Sequence, residues 1–223
     1  MKKLTLSGAV LFLCLSCGHT DPALKYPNMV ADLDPFSLGT VNASLDKLFS
    51  SDVKGTVVEV IFYPRTNEVA LNFNQSPAEY WQFWNEPGRQ RFIEALDGYK
   101  DDFDNQRLVT KYSKSRAVYG KVKGRSEWKT LKFSSTYRSS PSIELGYRFR
   151  DGAPYFSVCQ NRAKEESKSN KSILESNLFS IYFTRAQGAE LAKLFDKAFL
   201  LESIAGKARP PSIDSSRDVY IRQ

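Results

Sequence analysis

Between Ile143 and Val158 apolar residues recur at every second position on both sides of an Asp-Gly pair. Ile143, Leu145, Tyr147 and Phe149 alternate with Glu144, Gly146, Arg148 and Arg150. Successive side chains of a strand point to opposite faces, so this is a half-buried strand with one apolar side. Asp151-Gly152 suits the two left-handed positions of a tight hairpin turn. Counting back from that turn sets Phe156 opposite Tyr147 and Val158 opposite Leu145. The apolar face then continues across the pair, and a chain with such a face must cover it with more sheet or with helices.

The same alternation marks other strands. Val58, Val60 and Phe62 alternate with Val57, Glu59 and Ile61, then Pro64 to Asn67 supply a turn, and Val69, Leu71 and Phe73 return as the second half of a hairpin. Val118, Gly120 and Val122 share one strand face. Gly124-Arg125 reads as a two-residue turn, with Glu127 to Phe133 as the returning strand. Leu178 to Phe183 is a further strand.

Helices are marked by caps. Ser76-Pro77-Ala78-Glu79 has the form of a capping box with Pro in the first turn, and predicts a helix through Tyr80, Trp81, Phe83 and Trp84. A kink follows at Pro87-Gly88. The helix then resumes with Phe92, Ile93, Leu96, Tyr99 and Phe103 on one stripe. Thr184-Arg185-Ala186-Gln187 is a second capping box, opening a helix to about Ser203 that Gly206 ends. Leu38, Val41, Leu45 and Leu48 are also at helical spacing, which allows a short helix near 42–50.

The fold class expected from this order is α+β: an antiparallel sheet of hairpins with two main helices packed on one face, in strand–helix–strand–helix sequence. In element order only, this resembles the PUR-type or whirly-type single-strand nucleic-acid-binding fold.

The amino end reads as an address. Met1-Lys2-Lys3 is basic, and Leu4 to Leu15 is a twelve-residue run without charge. A membrane-spanning helix needs about 20 such residues, so twelve suits a signal peptide. Leu13-Cys14-Leu15-Ser16-Cys17 follows. This start resembles a bacterial lipoprotein precursor with a relaxed, spirochaete-like lipobox; it departs from the family pattern in having Cys14 where Leu is usual. The resemblance covers about twenty residues. It implies cleavage after Ser16, acylation of Cys17 and anchorage in the cell envelope, with Gly18 favouring the outer over the inner membrane. The organisation expected is a signal peptide at 1–16, a lipidated tether at 17–50, one domain at 51–206 and a loose tail at 207–223. Asn161 to Asn177, rich in Lys, Ser and Glu, reads as a loop.

Cleavage removes Lys2 and Lys3 and takes the net charge from +7 to +5. The remaining charge is unevenly spread. Arg107 to Arg150 holds twelve Lys and Arg against Glu127 and Glu144, whereas Glu94 to Asp104 holds five acids and one Lys. Such a block either attracts an anionic partner or meets the acidic helix within the molecule. If 124–125 is a turn, Lys121 falls opposite Trp128 and Lys123 opposite Ser126. Tyr119, Lys121, Lys123, Trp128, Lys132, Arg148 and Arg150 would then form one basic, aromatic sheet face for an anionic polymer, lipid headgroup or acidic protein. Outward cations that only keep the sheet soluble fit the same pattern. The alternative partner surface is the apolar stretch Tyr80, Trp81, Phe83 and Trp84, which suits either protein contacts or a core.

Enzymatic chemistry finds little support. The single His, His19, lies in the tether, which removes His-based triads and His metal sites. Asp101, Asp102 and Asp104 lack the Gly turn and distal Glu of a calcium loop and read as a solvated helix face. Glu59 and Glu68 read as lone exposed carboxylates, and Cys159 as a small core residue. No catalytic residue, metal or cofactor is expected, nucleic acid is a poor fit to an exported chain, and a carboxylate-based hydrolase is the weakest alternative.

Overall fold

The computed structural model describes residues 26–46, 52–110, 118–130, 135–166 and 175–208. Among them ten strands form one sheet: β1 (Phe36–Asp46), β2 (Val53–Tyr63), β3 (Glu68–Gln75), β4 (Ala78–Trp84), β5 (Gly120–Lys123), β6 (Arg125–Thr130), β7 (Thr136–Ser139), β8 (Ser142–Arg150), β9 (Ala153–Gln160) and β10 (Phe179–Phe183). Three helices accompany them: α1 (Glu86–Asp104), α2 (Arg185–Phe195) and α3 (Lys197–Ala208). Every strand pairing is antiparallel. Strands make up 48% of the described residues, in a curled half-barrel. The expected α+β layout, with strand–helix–strand–helix order and two main helices, is therefore not adopted, and with it falls the likeness in element order.

Three segments account for the difference. The stretch near 42–50 is not helical as far as it is described. Val41, Ala43 and Leu45 are 2%, 3% and 5% exposed, so small Ala43 completes a period of two. Ser76-Pro77 leads into strand β4, not a helix. Ala78, Tyr80, Gln82 and Trp84 all point inward, and polar Gln82 in that series hides the alternation. Gly124 does not turn a hairpin: β5 pairs with β8, and β6 pairs with β4 and β7.

That third correction explains the curl. The spatial order is β5-β8-β9-β10-β1-β2-β3-β4-β6-β7. Only Gly124 separates β5 from β6, although they stand near opposite ends of that order. Ser140-Pro141 likewise joins β7 to β8 across the same gap. The chain crosses from one end of the sheet to the other twice, so the sheet has to bend until its ends meet. The two crossings touch, with Gly124 N donating to Pro141 O at 3.0 Å. A side chain at Gly124 would press on Ile143, its Cβ falling 2.5 Å from Cδ1.

Other expectations hold. The two left-handed residues are Asp151, φ 50°, and Gly152, φ 79°. Tyr147 faces Phe156 and Leu145 faces Val158. The hairpin before it sets Val60 against Leu71 and Phe62 against Val69. Thr184 and Gln187 make the capping box of α2. That helix is interrupted at Asp196, where ψ is 135°, and α3 runs past Gly206 to Ala208. Pro87-Gly88 is the first turn of α1, whose N-cap Asn85 accepts a hydrogen bond from Gly88 N at 2.9 Å. The helix thus begins where a kink was expected.

One core joins these layers. Phe92 of α1 is fully buried, its ring edge-on to Trp84, Phe156 and Phe195 at 5.7, 5.4 and 5.0 Å. Edge-to-face packing suits the ring quadrupoles. Inside the curl lies a polar thread: Gln82 Nε2 donates to Gln160 Oε1 at 3.1 Å, and Gln160 Nε2 donates to Ser126 Oγ at 3.3 Å. All three residues are 0% exposed. These bonds tie β4 and β6 to β9 across the interior, where no backbone ladder joins them.

The sheet begins at Phe36, within the segment read as tether. Ahead of it, residues 26–35 lie over the β2–β3 turn. Val30 N donates to Pro64 O at 3.0 Å, and Arg65 bonds Asp32 and Asp34, each at 2.7 Å. The described ends of the 161–177 loop are bridged, Lys164 to Glu175 and Glu165 to Ser139. The tail from residue 209, the leader and Cys17 lie outside the described residues.

Candidate functional site

The seven residues expected to share a binding face do not come together. Tyr119 turns toward α1, where its hydroxyl donates to Asp102 Oδ2 at 2.9 Å and its ring lies 6.5 Å from Tyr99. Burial, and then that hydrogen bond to Asp102, push its phenol pKa up. Trp128 also points inward. It is 5% exposed and stacks on Tyr137 at 5.6 Å. Its register partners are Tyr80 and Tyr137, not Lys121. Lys121 is 3.0 Å from Glu144 across the β5–β8 ladder. Lys123 is exposed. Lys132 lies outside the described residues.

Arg148 and Arg150 do stand together on the convex side of β8. Both donate to the Tyr182 hydroxyl, at 3.2 and 2.9 Å, and Arg150 also meets Asp46 Oδ1 at 2.6 Å. The Tyr182 hydroxyl donates in turn to Asp46 Oδ1 at 2.9 Å. This cluster spans β8, β10 and β1 and ties the curl together.

Much of the basic block is matched by acids of the same chain. Arg107 meets Asp102 at 2.8 Å and also Asp101. Arg138 meets Glu127 at 2.7 Å. Arg125 is held by Glu68 at 2.6 Å and by Glu127. Asp104, at the end of α1, bonds Arg185 at 2.5 Å. The basic block is therefore paired within the chain, but not as the second reading had it. Among its described cations only Arg107 meets the acidic helix, and the strand cations pair with Glu68, Glu127, Glu144 and Asp46. Glu68, expected to be lone and exposed, has its side chain only 17% exposed within this network. Cys159 is buried, its Sγ 2.9 Å from Ser180 Oγ.

Strand geometry also divides the apolar stretch of β4. Tyr80 and Trp84 enter the core, while Trp81 and Phe83 face outward. The guanidinium of Arg125 lies 3.4 Å over the Phe83 ring and leaves Phe83 3% exposed. Trp81, one step along on the same convex face, is half-buried. Its register neighbours are Asn72 and Glu127.

A profile of uncharacterised Treponema proteins matches residues 35–202. The chain belongs to that family. The matched span starts one residue before β1 and ends within α3, so it takes in all ten strands and the residues that make the interior thread. An uncharacterized protein of Treponema pallidum (strain Nichols) is 24% identical over 155 residues, 69% of this chain and 53% of that relative. The chain thus spans about half the length of the curated relative it matches. No solved structure matches it.

Proposed function

We propose that this member of the family is an exported protein, held at a membrane of the cell envelope by acyl chains on Cys17, whose curled sheet works by binding a partner and not by catalysis. The carrying observation is the leader: two lysines, twelve uncharged residues, then Ser16-Cys17. Membership of a Treponema family agrees with a lipobox of relaxed spirochaete form. Two or three acyl chains, at about 0.8 kcal/mol per buried methylene, suffice for stable anchorage. The outer membrane is favoured through Gly18. Among the described residues no helix is long and apolar enough to cross a membrane.

A partner protein is preferred to an anionic polymer. The cations that suggested an anion include Arg107, Lys121, Arg125, Arg138 and Arg150, each paired with a carboxylate of the chain. An anionic ligand would have to displace those carboxylates first.

Expression of the full chain in a bacterium fed labelled palmitate tests the anchor. The expected product lacks residues 1–16, incorporates label and carries the mass of two or three acyl chains; Cys17→Ala loses the label. A chain with its initiator Met intact, or a cleaved chain without acyl mass, would overturn the proposal.

A further inference from the structure

On the convex face the chain itself shows what covers an outward ring. Phe83 is roofed by Arg125 at 3.4 Å, and that guanidinium is steadied by Glu68 and Glu127. Trp81 shares the face and has no such roof. Among the described residues no ring, cation or hydrogen-bond partner meets its indole. Carboxylates stand near it among cations: Glu127 is already held by Arg125 and Arg138, Glu79 Oε1 accepts from Asn72 Nδ2 at 3.1 Å, and Lys129 is exposed on β6. Glu127 is its register neighbour on β6, Glu79 lies two residues back on the same face of β4, and Glu59 stands on β2 beyond Asn72. Glu59 and Glu79 form no ion pair among the described residues. Lys129 stands opposite Glu79 in register and does not pair with it.

We infer that Trp81, flanked by Glu59 and Glu79, is the docking point for a basic side chain, arginine above all, presented by a partner protein. An indole face is the best aromatic receiver of a cation, and planar guanidinium stacks on it while donating sideways to carboxylates. Glu79 lies two residues along β4, about 7 Å from Trp81, and Glu59 lies two strands away, about 10 Å, so the acids stand beside the ring and do not cover it. The arrangement repeats between two molecules what Arg125 does within one. This rests on the reading of the domain as a protein-binding module, and not on the lipid anchor.

The tryptophans make the test direct. Trp84 and Trp128 are 2% and 5% exposed, which leaves Trp81 as the accessible fluorophore. Full chain is titrated with an oligo-arginine peptide and with an oligo-glutamine peptide of the same length. Oligo-arginine should shift and quench the accessible emission saturably, and glutamine should not. The apparent affinity should fall roughly tenfold at about 0.5 M salt, where exposed charges are screened. Glu79→Gln and Glu59→Gln should each weaken it several-fold, and Trp81→Phe should abolish the optical change while the fold, followed by circular dichroism, persists. No response to oligo-arginine at millimolar concentration overturns the inference, as does a response that survives Trp81→Phe or ignores Glu79→Gln. A response to neutral oligosaccharides with none to peptide would replace the basic side chain by a sugar. None of these outcomes alters the acyl mass on Cys17, so a failure here is separable from a failure of the anchor.

Discussion

Breaking the interior thread at Gln160 should cost far more than the loss of one hydrogen bond. Gln160→Leu keeps the volume and removes both amide contacts. It strands Gln82 Nε2 and Ser126 Oγ, on residues that are 0% exposed. A buried polar group without a partner costs about 1–3 kcal/mol, so the variant should lose roughly 2–5 kcal/mol. Gln82→Leu strands a different pair, Gln160 Oε1 and Trp84 Nε1, the latter having donated to Gln82 Oε1 at 3.2 Å. Its cost should be similar. The double variant strands only Trp84 Nε1 and Ser126 Oγ, because each substitution removes the group orphaned by the other. Its cost should therefore stay near roughly 2–5 kcal/mol and fall short of the sum by about as much. Total stability of a domain is about 5–15 kcal/mol, so these losses are large enough to measure. Urea unfolding followed by tryptophan fluorescence and by circular dichroism gives all four corners of the cycle. If the two costs add to within about 0.5 kcal/mol, the glutamines are not joined in solution and the account of how the curl is held is wrong.

Gly124→Ala should destabilise by about 1–3 kcal/mol, since its Cβ would sit 2.5 Å from Cδ1 of fully buried Ile143. Adding Ile143→Val removes that methyl, and the double variant should cost less than the two singles together; simple additivity in urea unfolding would show that the contact is not what limits residue 124. Burial pushes the Tyr99 phenol up to about 12 from an ordinary 10, and its hydroxyl donates to Pro154 O at 2.8 Å. The folded state then holds this proton more tightly than the unfolded chain. The stabilisation is complete below about pH 10 and drains away as pH rises toward 12. Tyr99→Phe should flatten the fall of Tm across that window, and an unchanged slope would count against the burial.

The hairpins were legible because their signals are local. At 142–160 the alternation and the Asp-Gly turn agree, and they set the register to the residue. Strand β4 failed for the opposite reason. Its inward series contains Gln82, which belongs there only because Gln160, 78 positions away, offers an amide to bond. No window of sequence holds both residues, so Ser76-Pro77-Ala78-Glu79 won as a helix start. Ala43 in β1 is a gentler case: its place in the core is fixed by packing, while Ala by itself argues for a helix.

Gly124 shows why the proposed binding face dissolved while the charges that suggested it stayed real. A glycine between two short strands admits two structures, a hairpin turn or a crossing between sheet ends. Local turn chemistry favours the first; only the closure of a ten-stranded sheet demands the second. Each choice assigns different neighbours. In the hairpin Lys121 would face Trp128, whereas in the crossing it meets Glu144. The same choice carries Arg125 to β4, onto Phe83 and between Glu68 and Glu127, which are 57 positions before it and two after. A charge count along the chain therefore measured a block of cations correctly and placed its counter-ions wrongly, since ladders pair residues by register and not by distance along the chain. Among the described residues, Trp81 with Glu59 and Glu79 stays outside those ion pairs, as do Lys123 and Lys129. The docking point proposed at Trp81 lies on β4 beside β6, so it borders cations of that same block, Arg125 and Lys129, as well as Glu79 and Glu127.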